Sequence, residues 1–430
     1  MPDTTIRGVQ GRRIWDSRGH PTVEADVILA GGTRGRAAAP AGASRGGGEA
    51  IDLRDGGAAL GGRDVAGALR ALNGPVRDAL MGVDAADQPA VDRILAELGG
   101  EGFAKIGGNT STAVSLAVLD AAARAHGLAR WELLAGDSAP LLPLPEIQLL
   151  GGGAHAARAL DLQDIMVMPV GASTFAEALR ITGETYRAAG QLLADAGRLA
   201  GVADEGGYWP VFDSNREALA FAVQAIEAAG LRPGIDMALS LDIAANQLHE
   251  DGRYRLRLEG RELEPGAFAD ELLGWCREFP VISIEDPLAE DDREGMVRFV
   301  TAVDGRAQVV GDDFLVTDAA RTADAVQAHA ATALLVKPNQ AGTVTRARSA
   351  LEAARDAGWG IIVSARSGET EDVSVTHLAV GWRAGQMKVG SFARSERMAK
   401  WNEALRIEER AGADARFAGR SAVVAPRFSA

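Results

Sequence analysis

The chain has 430 residues, enough for two or three domains or for a large barrel with an appended unit. Its 59 acidic residues outnumber 45 basic ones, a net charge of −14, which argues against a nucleic-acid surface because neutralising phosphates requires clustered Lys and Arg. The single cysteine, Cys276, has no disulfide partner, no run of about 20 apolar residues suggests a membrane span, and Met1–Arg7 lacks a signal peptide's apolar core, so a cytoplasmic protein is expected.

Residues 6–30 largely alternate apolar and polar side chains and then meet Gly31-Gly32. A shorter run follows, which predicts an antiparallel hairpin. A loop rich in Gly, Ala and Ser occupies 40–49, and from 63 to 136 the pattern is mostly helical. Ala113, Leu116, Leu119 and Ala123 recur at helical spacing and so share one face. An N-terminal α+β domain is expected over residues 1–136.

From 137 to 430 the rhythm changes. Short apolar runs alternate with stretches of helical period: Asp164–Met168, Met237–Asp242, Val281–Glu285, Gln308–Asp312, Leu334–Lys337 and Ile361–Ser364. After Glu285 the run ends follow one another every 25–30 residues or so, the length of one strand, one helix and two loops. Continuous apolar strands imply a sheet covered on both faces. A doubly wound sheet also fits this rhythm, but no Gly-rich phosphate fingerprint follows a first strand, which favours a barrel. Cys276, within Leu272-Leu273-Gly274-Trp275-Cys276, is expected to be buried packing.

Charges fall at the ends of these runs. Asp242, Glu285, Asp312 and Lys337 each terminate one, so in a barrel all four project at the C-terminal face, where barrel active sites lie. Three converging carboxylates repel one another unless a cation joins them, and oxygen ligands on rigid strands suit Mg²⁺. The plainer alternative is that each carboxylate caps the following helix. Lys337 fits a general base: beside a divalent cation and away from water its ammonium form is disfavoured, which predicts a lowered pKa. A salt bridge from Lys337 to a neighbouring acid is compatible with the same positions.

Longer motifs carry a family resemblance over essentially the whole chain. They are Asp16-Ser17-Arg18-Gly19, Gly42-Ala43-Ser44, Gly152-Gly153-Ala154-His155-Ala156, Asp204-Glu205-Gly206-Gly207, Ser283-Ile284-Glu285-Asp286 and Gly311-Asp312-Asp313. They continue with Asn339-Gln340, Arg366-Ser367-Gly368-Glu369-Thr370-Glu371-Asp372, Gly385-Gln386-Met387-Lys388 and Leu405-Arg406-Ile407-Glu408-Glu409. In these stretches the chain resembles the enolases. The resemblance implies an α/β fold, with an N-terminal α+β cap on a modified (β/α)8 barrel over residues 137–430, assembled as a homodimer or higher homo-oligomer. It implies Asp242, Glu285 and Asp312 as ligands of one Mg²⁺, with Ser44 of the closing loop as ligand of a second that arrives with substrate. Lys337 resembles the family's base and Glu205 the acid that assists the leaving hydroxide. Lys388 would face the substrate carboxylate, Gln163 and His155 would line the pocket, and Arg366 with Ser367 would hold a phosphate, a task suited to arginine's bidentate fork. From the sequence alone, a buried packing role for His155 is an equal reading.

The departures from the family pattern also fall in the site. Enolases read Ser-His-Arg-Ser where this chain has Ser364-Ala365-Arg366-Ser367, so Ala365 replaces a pocket histidine. In the closing loop Gly48 replaces a second histidine, and Arg45 adds a positive charge. The family's Gln-Glu pair is Gln163-Asp164, one methylene shorter. Gly151 and His20 each stand where enolases carry Asn, and Pro338 follows Lys337 in place of Val. The metal and base set is retained while the phosphate and leaving-group side is changed and expected to be larger. That pattern predicts a specialised enzyme acting on a small anionic substrate with a carboxylate and a phosphate or phosphonate, analogous to the carboxyphosphonoenolpyruvate synthases. The alternatives are a phosphopyruvate hydratase acting on 2-phosphoglycerate and a non-catalytic protein on an enolase scaffold.

Overall fold

The computed structural model describes residues 2–43, 46–156 and 160–424. Strands β1 (Ile6–Trp15), β2 (Pro21–Leu29) and β3 (Arg34–Ala38) form an antiparallel sheet in that order. The expected single hairpin is therefore a three-stranded meander. Its first reversal lies inside the 6–30 run, where Asp16 Oδ1 accepts from the backbone N–H groups of Arg18 (2.9 Å) and His20 (2.8 Å) and Gly19 adopts φ +71°. That is Asx-turn chemistry, which a reading of apolar alternation passes over.

Helix α2 (Gly108–Ala125) packs on this sheet, and α1 (Gln88–Gly99) packs against α2. A Cβ added at Gly35 of β3 would stand 2.2 Å from the Ala121 nitrogen of α2, so glycine lets helix and strand approach closely. Helix α2 is buried all round rather than on one face. Its Ser and Thr side accounts for this: Thr112 donates to the Gly342 carbonyl at 3.4 Å, and Ser115 Oγ accepts from the Val344 N–H at 2.9 Å. The helix is thus wedged between the sheet and the larger body of the molecule, with its small polar groups satisfied there.

That larger body is a closed eight-stranded barrel of β4 (Leu144–Gly151), β5 (Asp164–Met168), β6 (Ala238–Asp242), β7 (Val281–Glu285), β8 (Gln308–Gly311), β9 (Ala333–Val336), β10 (Gly360–Ser364) and β11 (Gly385–Gly390), with β11 pairing back onto β4. Around it lie α3 (Phe175–Asp195), α4 (Asn215–Ala228), α5 (Pro265–Glu278), α6 (Arg293–Val303), α7 (Ala319–Ala328), α8 (Val344–Asp356), α9 (Ser374–Gly381) and α10 (Ser395–Ala411). Two strands, β4 and β11, are absent from the apolar runs of the sequence. Both carry polar residues into the barrel, where Glu146 accepts from Ser240 at 2.8 Å and Gln386 accepts from Gln308 at 2.8 Å.

β5 runs antiparallel to both its neighbours, whereas the other pairs are parallel. The reversal sets the rim of the site. Asp164 opens β5, yet it lies directly across from Asp242, the last residue of β6, and Asp242 is in register with Glu285 at the end of β7. Cys276 is buried on α5, and burial pushes its thiol up to about 12, which keeps it unreactive. No helix of the described residues is long and apolar enough to cross a membrane.

Candidate active site

The C-terminal rim of the barrel surrounds a partly open cavity, about 330 Å³ counting the solvent at its mouth. Its walls include His155, Gln163, Glu205, Asp242, Lys337, Arg366, Ser367 and Lys388, all singled out in the sequence, together with Ala43 and Ala365. Ser44 and Arg45, expected at the same mouth, lie outside the described residues.

Two lysines reach into the acids. Lys388 Nζ lies 2.7 Å from Asp242 Oδ2, 2.8 Å from Glu285 Oε2 and 3.7 Å from Asp164 Oδ2. This ammonium, expected on the carboxylate side of a substrate, here bridges the strand-end acids. Lys337 Nζ donates to Asp312 Oδ2. Burial is the largest influence on the Lys337 pKa and would lower it, but the attraction of Asp312 together with that of Glu285 leaves the net shift upward. The salt bridge that the sequence also allowed is thus formed, and with Asp312 as its partner Lys337 is held as the ammonium; the lowering expected of it belongs to the site with a divalent cation bound. Pro338 explains its posture, because proline favours an extended residue before it, and Lys337 sits at φ −117°, ψ 106° ahead of a helical turn begun by Pro338.

The donor set fits a hard divalent cation. Burial first, and then repulsion from Asp242, pushes Glu285 well above the carboxylate range despite the opposing pull of Lys388. Glu285 Oε1 and Asp164 Oδ2 are buried oxygens without a hydrogen-bond partner, the state expected of ligands to an ion. Of the expected ligands Asp242, Glu285 and Asp312, the last is turned another way. Asp312 faces Lys337 and groups with Asp286 and Asp313, whose ligand atoms lie within 4.8 Å of one another; the other such group among the described residues is His155, Asp164 and Glu205. Asp286, at φ +39°, accepts from the Asp312 and Asp313 N–H groups at 2.9 and 2.7 Å and so aims that loop. Burial beside Asp312 pushes Asp313 up to about 7.

His155 is more than packing. Its Nδ1 lies 3.0 Å from Asp164 Oδ1 and its Nε2 3.7 Å from Glu205 Oε1. Burial alone would lower its pKa, but the two carboxylates raise it to about 9, so it is an imidazolium at neutral pH. Asp164 in turn falls to about 2, because His155 and Lys388 overcome its burial. Gln163 donates to Asp242 Oδ2 at 2.9 Å and accepts from Gln247. Gln148 of β4, which donates to Asp164, was not legible as a site residue because its strand was not.

Arg366, 4% exposed, is held by the lid. Its Nη1 lies 3.1 Å from Glu49 Oε2 and donates to Asn339 Oδ1 at 3.1 Å. Gln340 donates to both Glu49 (3.2 Å) and Asp312 (2.9 Å), which links the lid to the acid cluster. The expected enlargement is partial. Ala365 does line the cavity, but Gly48 does not; its backbone at φ +105° strains any side chain, and a Cβ there would stand 2.6 Å from the movable end of Arg321. Gly151 is likewise closed in, with Ala203 Cβ 2.5 Å from its own Cβ position.

A barrel rim carrying buried acids, two lysines and an arginine-lined chamber is equipped to bind an anion and move a proton. The family model of the enolase C-terminal TIM barrel domain matches residues 139–425, and that of the enolase N-terminal domain matches residues 6–134. The chain belongs to the enolase family. It is thus an enolase-type, lyase-class enzyme on an α/β barrel, with acidic groups able to hold a metal.

Proposed function

We propose that this enolase-type protein removes the proton α to the carboxylate of a small acid bearing a phosphoryl or phosphonyl group, giving the corresponding enolpyruvate product. The observation that carries this reading is that Lys337, Asp242, Lys388, Arg366 and the small wall residue Ala365 line one cavity. Asp242, Glu285 and Asp312 would hold Mg²⁺, and Ser44 a second ion with substrate. When bound, Mg²⁺ stabilises the negative charge that proton removal puts on the carboxylate.

Lys337 is the base in this scheme. It acts once Asp312 has another partner, because only the neutral amine can take a proton. Arg366 and Ser367 hold the phosphorus-bound oxygens, and Lys388 releases part of its hold on the acids to meet the carboxylate. Where the substrate carries a β-hydroxyl, Glu205 and the His155–Asp164 pair lie on the side that would protonate the departing hydroxide, so that water leaves. The Ala365 wall favours a bulkier phosphorus group than phosphate monoester, as in carboxyphosphonoenolpyruvate chemistry. The retained His155–Glu205 pair favours a second reading, phosphopyruvate hydratase on 2-phosphoglycerate. We take the protein to be a cytoplasmic homodimer or higher homo-oligomer, as the family suggests.

Formation of phosphoenolpyruvate from 2-phosphoglycerate with Mg²⁺ tests the two readings. Turnover within about tenfold of an ordinary enolase, the factor a single lost acid–base contact would exceed, sinks the specialised one. Solvent exchange of a substrate α-proton that vanishes in Lys337→Ala supports enolisation; no exchange in the unmodified protein would falsify it.

A further inference from the structure

Beneath the anion side of the cavity lies a buried arginine with no part in the scheme above. Arg397 of α10 is 0% exposed. Its Nη1 donates to the Arg366 carbonyl at 2.6 Å and the Val389 carbonyl at 2.9 Å, and its Nη2 donates to the Ser367 carbonyl. Its Nε lies 3.5 Å from Glu396. A buried cation is costly unless its donors are satisfied. Here the two Nη groups are spent on the main chain of the two expected anion-holding residues and of the residue after Lys388, and Nε has only the charge of Glu396 nearby. One turn along α10, Lys400 is also 0% exposed; it donates to the Thr370 carbonyl at 2.5 Å and lies 3.1 Å from Glu369 Oε2. Glu369 Oε1 accepts from the Arg366 N–H at 3.0 Å. The two cations grip both ends of the 366–370 segment.

We propose that Arg397 is a positioning residue for the anion site. It fixes the peptide planes at Arg366 and Ser367 and ties them to β11, the strand that carries Lys388. The proposal rests on the reading of Arg366 and Ser367 as the holders of the phosphorus-bound oxygens. With no cis peptide among the described residues, a carbonyl of Arg366 turned toward Arg397 turns the Ser367 N–H to the opposite side. The planar fork reaches two successive carbonyls and a third on the neighbouring strand from two nitrogens at fixed spacing, whereas a lysine offers its three donors from a single nitrogen and does not hold that spacing. Arg397 is not among the residues lining the cavity, so it acts on an anion through Arg366 and Ser367.

The test is Arg397→Lys, which keeps the charge and removes the fork, with inorganic phosphate as the probe and Mg²⁺ present. Amide hydrogen exchange in a peptide covering 364–371 rises about tenfold while peptides of β7 and β8 stay unchanged, and phosphate affinity by calorimetry falls about tenfold, the scale expected for a misplaced binding group. Guanidinium ion restores phosphate affinity to Arg397→Ala, and methylammonium does not. Exchange and phosphate affinity both within about twofold of the unmodified protein in Arg397→Lys would overturn the proposal. Should neither variant fold, the unmodified protein still decides: the Arg366 and Gly368 amides must exchange only through global unfolding, and faster local exchange overturns the role. The exchange measurements do not depend on the ligand. An unmodified protein that ignores phosphate therefore counts against the anion-site reading, whereas unchanged exchange in the variant counts against Arg397.

Discussion

Glu49 of the lid and Arg366 of the barrel form a buried ion pair, Nη1 to Oε2 at 3.1 Å, at the position where a substrate's phosphorus-bound oxygens are expected. An anion entering the cavity competes with this carboxylate. Glu49→Gln should therefore tighten binding of inorganic phosphate by about tenfold, near the low end of a charge-assisted hydrogen bond. Calorimetric titration measures it; weaker phosphate binding in the variant would show instead that Glu49 helps to build the site.

Lys388 holds Asp242 and Glu285 together at 2.7 and 2.8 Å. Lys388→Met leaves two buried carboxylates facing each other and should cost about 3 kcal/mol in metal-free buffer. Mg²⁺ should recover part of that loss, since a ligand of the native state stabilises it by roughly 2.7 kcal/mol at 100 times its dissociation constant. Urea unfolding with and without Mg²⁺ reads both effects. Equal stabilisation by Mg²⁺ of Asp242→Asn and of the unmodified protein would place the metal elsewhere.

The His155–Asp164 pair makes stability depend on pH. His155 is raised from 6.5 to about 9 in the folded state, so its contribution is complete below pH 6.5 and disappears as pH rises through about 9. Asp164 is lowered from 3.8 to about 2, so its contribution is complete above pH 3.8 and disappears as pH falls through about 2. Counted once, the pair is worth roughly 2–3 kcal/mol. Thermal unfolding from pH 6 to 10 should lose this increment in the unmodified protein and not in His155→Gln. Parallel curves for the two proteins would remove the imidazolium from the account.

Ala365 and Gly48 should respond differently to reintroduced histidine. Ala365 lines the cavity, so Ala365→His narrows it and should favour 2-phosphoglycerate over bulkier phosphonyl acids by about tenfold, the worth of one acid–base or pocket contact. Gly48→His meets Arg321 and a backbone at φ +105°, and should lower stability without improving any turnover. Steady-state kinetics on both acids, together with melting curves, separate the two cases. A gain in 2-phosphoglycerate turnover from Gly48→His alone would refute the steric argument.

Much of the site was legible because its chemistry is placed by local pattern. Apolar runs ending in Asp242, Glu285, Asp312 and Lys337 announce strands with functional ends, and backbone propensity and burial suffice to say so. The motif around Arg366 and the cavity residues His155 and Gln163 were named by the resemblance to the enolases, not by any pattern of strands or burial. β4 and β11 could not be found, because Glu146, Gln148, Gln386 and Lys388 interrupt the apolar pattern with polar groups that only a closed barrel satisfies internally.

The amino-acid sequence by itself determined the barrel rhythm, the acids at strand ends and the family. The tertiary structure decided three things that no local pattern encodes. The reversed direction of β5 brings Asp164 beside Asp242, because strand polarity is a property of pairing. Lys337 is held as the ammonium because Asp312 and Glu285 together offset the cost of burying its charge. Gly48 stands outside the cavity's lining, because the fold seats it against Arg321, 273 positions further along the chain.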